Sequence, residues 1–291
     1  MGGVADELLA RSHRLGAEKR NTNYGGGNTS AKGVGVDPVS GGDVELLWVK
    51  GSGGDLGRLR AEGLAVLRLD RLRALAEVYP GEDREDEMVA AFDFCLHGRS
   101  AAAPSIDTAM HGLVGSAHVD HLHPDSGIAV ATAADGERLT KEIYGDRVVW
   151  VPWRRPGFQL GLDIAAVHDS HPNAVGVILG GHGITAWGAT SAEAEANSLW
   201  IIDQAQRFID QHGRAEPFGA PAPDRAPLAP DERRAKAAAL APYLRAVASR
   251  DSRMVGHFTD SEVVLEFLSG EKLFDLARLG TSCPDHFLRT K

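Results

Sequence analysis

Cysteine is nearly absent from this sequence: Cys95 and Cys283 are the only two in 291 residues. They lie far apart and without metal-ligand spacing, which excludes a disulfide scaffold or a thiolate zinc knuckle and points to free thiols in a reducing compartment. No apolar run approaches the roughly 20 residues that a membrane-crossing helix needs, and the N-terminus MGGVADELLARSHRLGAEKR has no apolar signal core. A cytoplasmic protein that binds no membrane is the expectation. Basic charge is also short. Lys and Arg number 31 against 40 Asp and Glu, a formal net charge of -9. A nucleic-acid partner is thereby excluded, because such binding needs basic surface to displace phosphate counterions. A small anionic substrate in a locally positive pocket remains compatible.

What is present is an ordinary globular composition, 43% hydrophobic and 24% charged, on a length that can bury a sizeable core. Periodicity predicts helices over 4–20, 64–78, 83–97, 106–115, 137–144, 158–169 and 191–211. Strands are predicted over 46–49, 118–123, 127–133 and 147–151, in AVGVILG and in ITAWG. NTNYGGGNTS and KGSGGDLG read as glycine-rich turns. After Gly213 the character changes, so residues 1–213 are expected to form one domain. Residues 214–231 read as a proline-rich linker and 232–291 as a helical C-terminal extension. Several strands lie close enough in sequence to be antiparallel neighbours. An α/β sandwich with helices on both faces follows, rather than a strict βαβ repeat.

Three histidines carry the strongest chemical signal. In SAHVDHLHPDSG, alternate residues of a strand share a face, so His121 and His123 point together while Leu122 points away. Two imidazoles on one face are half of a tetrahedral metal site, although the same string also suits a polar, solvated loop. His118 and Asp120 fall on the opposite face of a regular strand. In GVILGGHGITAWG, a buried apolar strand delivers His182 between glycines, where the backbone can approach closely; a turn-capping histidine is the other reading. Three nitrogen ligands with an open position describe a catalytic metal, most simply zinc, with another divalent transition metal also suited.

Proton transfer beside such a metal calls for a carboxylate. Asp107 in APSIDTAMHG is the candidate, because it opens a short helix just before the histidine segment; Ser105 and Asp107 would equally serve as caps of that helix. GGGNTSAK and VKGSGGDLG combine backbone N–H groups, hydroxyls and a lysine, which is what an oxyanion such as phosphate requires. The residues concerned are Asn28, Thr29, Ser30, Ser52 and Gly53. Neither string matches a P-loop or a dinucleotide fingerprint.

Together, GGGNTSAK, VKGSGGDLG, PSIDTAMH, HVDHLHP and GGHGITAWG resemble the class II aldolase/adducin-head family over roughly residues 20 to 212. The HVDHLHP and SIDT variants look most like the aldolase half of bifunctional rhamnulose-1-phosphate aldolase/short-chain dehydrogenase proteins. The terminal GTSCPDHFLRTK is similar to the segment that runs onward in those proteins. No dinucleotide-binding half follows here, so either a fragment or an aldolase portion alone is expected. The resemblance implies a three-layer α/β/α sandwich around a mainly antiparallel sheet and a homotetramer. It also implies zinc on the positions of His121, His123 and His182. Substrate phosphate would meet Asn28, Ser52, Gly53 and Ser105. The implied reaction is aldehyde-lyase chemistry in rhamnose catabolism, retro-aldol cleavage of L-rhamnulose 1-phosphate to dihydroxyacetone phosphate and L-lactaldehyde. Relatives in the family include metal-dependent sugar-phosphate epimerases, and the adducin head is a non-catalytic interaction domain that lacks the histidines. Two departures stand out: better-known aldolases have glutamate where this sequence has Asp107, and a second phosphate-binding serine is replaced by Ile106.

Overall fold

The computed structural model describes residues 2–22, 25–99 and 102–283. Contacts divide the chain into two compact units, one built on Met1–His212 and the other on Gly213–Gly280. The terminal string GTSCPDHFLRTK lies mostly outside the described residues, as do two positions of NTNYGGGNTS.

The first unit opens with helix α1 (Gly2–Ala17), followed by strands β1 (Asn28–Val36), β2 (Asp43–Lys50) and β3 (Leu64–Arg68). Short helices α2 (Leu69–Ala74), α3 (Asp86–Ala91) and α4 (Thr108–Leu113) lead into β4 (His118–Leu122). Then come α5 (Asp125–Ala131), α6 (Gly136–Tyr144), β5 (Val148–Val151), α7 (Phe158–Ser170), β6 (Gly176–Leu179), β7 (Gly183–Gly188) and α8 (Ser191–His212). Among the described residues, the strands form one seven-stranded sheet in the order β3-β2-β1-β4-β7-β6-β5. Every neighbouring pair is antiparallel except β5 and β6.

Both faces of the sheet are covered, and the side-chain alternation of the strands assigns each residue to one side. Ala31, Leu122, Ile178 and Ile184 pack with Leu8 and Leu15 of α1 and Ile201 and Ala205 of α8. Leu47 and Val49 face the opposite way, against Leu72 of α2 and Ala109 of α4. Val119, Val177 and Leu179 do the same, against Met110 of α4 and Ile164 of α7. Neighbours such as Val177 and Ile178 thus enter different cores, which is why strand β6, covered on both faces, reads as an unbroken apolar run. The architecture is the expected three-layer α/β/α sandwich.

Three expected elements differ. GGGNTSAK is not wholly a turn: from Asn28 onward it is β1, paired on both sides. Its small residues make room for large cross-strand neighbours, since a Cβ on Gly35 would lie 2.4 Å from the Leu46 side chain. The helix predicted over 64–78 begins instead as edge strand β3, because pairing with β2 satisfies backbone groups that the 3.6-residue pattern ignored. The strand predicted over 127–133 is helix α5, which starts after Pro124 with Asp125 in its first turn and buries Ile128, Val130 and Ala131.

The second unit holds α9 (Pro230–Ala248), α10 (Glu262–Ser269) and α11 (Leu273–Arg278). Its proline-rich segment, expected as a linker, is tied within the unit: Pro221 bridges to Gly270, and the Arg225 guanidinium donates to the Gly270 carbonyl at 3.1 Å. Among the described residues, no helix is long and apolar enough to cross a membrane.

Candidate metal centre

Antiparallel pairing of β4 with β7 sets Leu122 opposite Ile184 and His121 opposite Thr185. His123 follows β4 immediately, and His182 sits in the two-strand turn just before β7. That turn is held by three backbone bonds: Gly180 N–H to Val151, Gly181 N–H to Ala131 and His182 N–H to Leu179. Glycine is required on both sides of His182. Gly181 has φ +64°, and a Cβ on Gly183 would lie 2.6 Å from the Leu122 carbonyl oxygen and 2.8 Å from the His123 ring.

The result is a convergence of imidazoles. One ring nitrogen from each of His121, His123 and His182 lies within 4.8 Å of the others, and all three residues are buried. The Nε2 atoms of His121 and His123 are 2.9 Å apart. His121 Nδ1 is 2.9 Å from the Ile184 carbonyl oxygen, which can only accept, so Nδ1 carries the hydrogen and Nε2 offers its lone pair in the neutral ring. Burial holds His182 neutral, its pKa well below the usual histidine value, with His121 and His123 pushing the same way. Its Nδ1 is buried without a hydrogen-bond partner. Lone pairs this close repel unless a proton or a cation lies between them. Three converging imidazole nitrogens, with an orphaned atom on the His182 ring, therefore fit a divalent transition metal.

Asp107 immediately precedes α4, and its side chain makes no cap bond to that helix. The capping alternative is resolved by division: Ser105 Oγ accepts the Asp107 N–H at 3.2 Å, and the carboxylate is left for other work. Asp107 Oδ2 accepts from Asn28 Nδ2 at 3.1 Å, while Oδ1 is buried with no partner. Asn28 is the register partner of His121 across β1 and β4, so the carboxylate is connected to the histidine cluster through one cross-strand pair.

The hydroxyls of GNTS do not act together. Thr29 is on the other face of the sheet, where its Oγ1 lies 2.7 Å from Ser12 Oγ of α1. Ser30 is on the histidine face but fully buried, with its Oγ 2.8 Å from His111 Nδ1. Ser52 and Gly53 are exposed in the turn after β2, and the Ser52 N–H donates to the Ala103 carbonyl at 3.0 Å, two residues before Ser105. That turn therefore borders the segment carrying Ser105 and Asp107.

Strand alternation also accounts for the residues expected to point away. Asp120 is wholly buried on the α1 face, paired with Arg11 at 2.9 Å and accepting from Ser198 at 3.1 Å. Burial raises its pKa, and Arg11 and Ser198 oppose that rise. His118 Nδ1 lies 2.9 Å from Arg11 Nη1. Arg11 and His111 carried no role in the sequence reading; the signal for His111 was its place four residues after Asp107, one helical turn along α4.

Residues 7–208 match the family model described as class II aldolase and adducin N-terminal domain, and residues 235–291 match one described as aldolase class II, second domain. The uncharacterized oxidoreductase YuxG of Bacillus subtilis is 36% identical over 287 residues, covering 98% of this chain and 41% of the relative. The chain thus spans well under half of that relative's length. The N-terminal class II aldolase domain of a conserved Thermoplasma acidophilum protein aligns with a TM-score of 0.64 at 28% identity, over 72% of this chain and 95% of that one. A sugar-phosphate aldolase from Thermotoga maritima shares the fold at 16% identity, with a TM-score of 0.51 over 72% and 96% of the two chains.

Proposed function

The chain belongs to the class II aldolase and adducin N-terminal domain family, and from that premise we propose that it is a metal-dependent aldehyde-lyase cleaving a ketose 1-phosphate by a reversible retro-aldol reaction. The substrate proposed is L-rhamnulose 1-phosphate, with dihydroxyacetone phosphate and L-lactaldehyde as products. The observation that carries the reading is the buried cluster of His121, His123 and His182 with the partnerless Asp107 Oδ1 one cross-strand pair away.

In this reading the three histidines hold zinc or a similar divalent metal, which when bound would polarise the ketose carbonyl as a Lewis acid. The bond between the third and fourth carbons breaks. Its electron pair passes to the dihydroxyacetone phosphate half as an enediolate, while the fourth-carbon hydroxyl loses its proton and becomes the aldehyde. Asp107 takes up that hydroxyl proton and returns a proton to the third carbon, using the oxygen that has no other partner. The Ser52–Gly53 turn and Ser105 receive the phosphate. No lysine is needed for a covalent intermediate. Residues 1–213 would carry this chemistry in a cytoplasmic homotetramer, with 232–291 as an extension. In a longer chain a dehydrogenase half would follow.

The test is release of dihydroxyacetone phosphate from L-rhamnulose 1-phosphate by the purified protein, by the EDTA-treated protein and by the His182→Ala variant. Cleavage by the first and not by the other two is expected. Undiminished cleavage in all three would end the metal-dependent reading. A ketose phosphate of unchanged length would indicate an epimerase instead.

A further inference from the structure

His111 is fully buried on α4, has no place in the chemistry above, and touches two residues of β1. Its surroundings determine where every hydrogen must be. Asn28 Nδ2 is 3.1 Å from Asp107 Oδ2 and 3.3 Å from Ser105 Oγ. The amide nitrogen donates to both, so its two hydrogens are engaged. Asn28 Oδ1 therefore faces His111 Nε2, at 3.2 Å. An amide oxygen only accepts, so Nε2 carries the imidazole hydrogen. Burial holds His111 neutral, which leaves Nδ1 as an acceptor for the Ser30 hydroxyl at 2.8 Å. Ser30 has a weaker alternative in the Val119 carbonyl, at 3.4 Å.

We propose that His111 is a positioning residue that fixes the Asn28 amide so that Asn28 holds and orients the Asp107 carboxylate. Donation runs one way, from Ser30 to His111 to Asn28 to Asp107 Oδ2. The consequence is selective: Oδ2 is occupied and oriented, and Oδ1 is the oxygen that remains for proton transfer. The inference rests on the aldolase reading for its kinetic consequence, but its hydrogen-bond content does not.

Two measurements test it. In protein labelled with nitrogen-15 on histidine, long-range proton–nitrogen correlation at pH 7 should find His111 as the neutral Nε2–H tautomer, assigned by its loss in His111→Phe. An Nδ1–H tautomer or an imidazolium would overturn the inference whether or not the protein cleaves any sugar. In kinetics, His111→Phe removes both bonds, and His111→Gln retains an amide that can donate to Asn28. The Phe variant should lose about tenfold to a hundredfold in kcat, the range for outer partners of a reacting group, with KM within about threefold and metal content unchanged. The Gln variant should recover much of the loss and melt near the wild type. A raised KM with unchanged kcat would overturn the positioning role. If the wild type cleaves no ketose phosphate, the function fails while the tautomer result stands on its own.

Discussion

Asn28 and His121 face each other across the antiparallel pair β1 and β4, and through them a carboxylate just ahead of α4 is joined to a histidine cluster on the sheet. Asn28 binds Asp107 with its nitrogen and His111 with its oxygen, while His121 points its Nε2 toward His123. The two halves of the candidate site are thus mounted on adjacent strands of the sheet's centre. Rigid mounting of this kind is what a reacting geometry with little tolerance requires.

Removing one histidine should remove the metal. His121→Ala and His182→Ala are expected to purify with less than about a tenth of an equivalent of zinc, against about one for the wild type, because two imidazoles cannot complete a tetrahedral site. Elemental analysis of dialysed protein decides it; equal metal in all three would refute the cluster. Metal at a hundred times its Kd should stabilise the wild type by about 2.7 kcal/mol, or about 5–10 °C in Tm, and leave both variants unmoved.

Asp107→Asn keeps the shape but loses the basic oxygen. A fall in kcat of roughly a hundredfold to ten-thousandfold is expected, with metal still bound. Measuring zinc and kcat on the same sample separates proton transfer from assembly. A variant retaining more than a tenth of wild-type kcat would remove Asp107 from the chemistry.

The Arg11–Asp120 pair is excluded from solvent on both sides. Breaking it with Arg11→Met strands a buried carboxylate and should cost about 3–5 kcal/mol in denaturant unfolding, whereas the double variant Arg11→Met, Asp120→Leu should regain part of that. A single-variant loss under about 1 kcal/mol would show that the pair matters little.

Acid should destabilise the fold before its carboxylates titrate. Burial, then Arg11 and Lys32, lower the His118 pKa from 6.5 to about 4. Between those values the unfolded chain binds a proton that the native chain does not, so stability present above pH 6.5 is lost as pH falls toward 4. Urea midpoints across this window should fall for the wild type and fall less for His118→Gln. Parallel curves would assign the acid sensitivity elsewhere.

Gly183→Ala should disturb the metal site without touching a ligand. Its Cβ would press on the Leu122 carbonyl and the His123 ring, so weaker zinc binding is expected at nearly unchanged secondary structure. Zinc affinity equal to the wild type would show that the turn can yield.

What the sequence by itself determined was local and periodic. Alternation along one strand separated His121 and His123 from His118 and Asp120, and an apolar run closed by glycines marked where His182 would stand. Both are matters of few residues and strong geometry. The same reasoning missed β1, misread the start of 64–78 as helix and 127–133 as strand, because those segments take their form from partners distant in the chain. Only the tertiary structure decided which polar groups meet. Arg11 and Asp120 are 109 residues apart, Asn28 and Asp107 are 79, and Asn28 and His111 are 83. A buried polar group must be satisfied by whatever the fold brings to it, and no periodicity encodes that choice. Thr29 turned away from the site and Asp107 was freed from capping for the same reason.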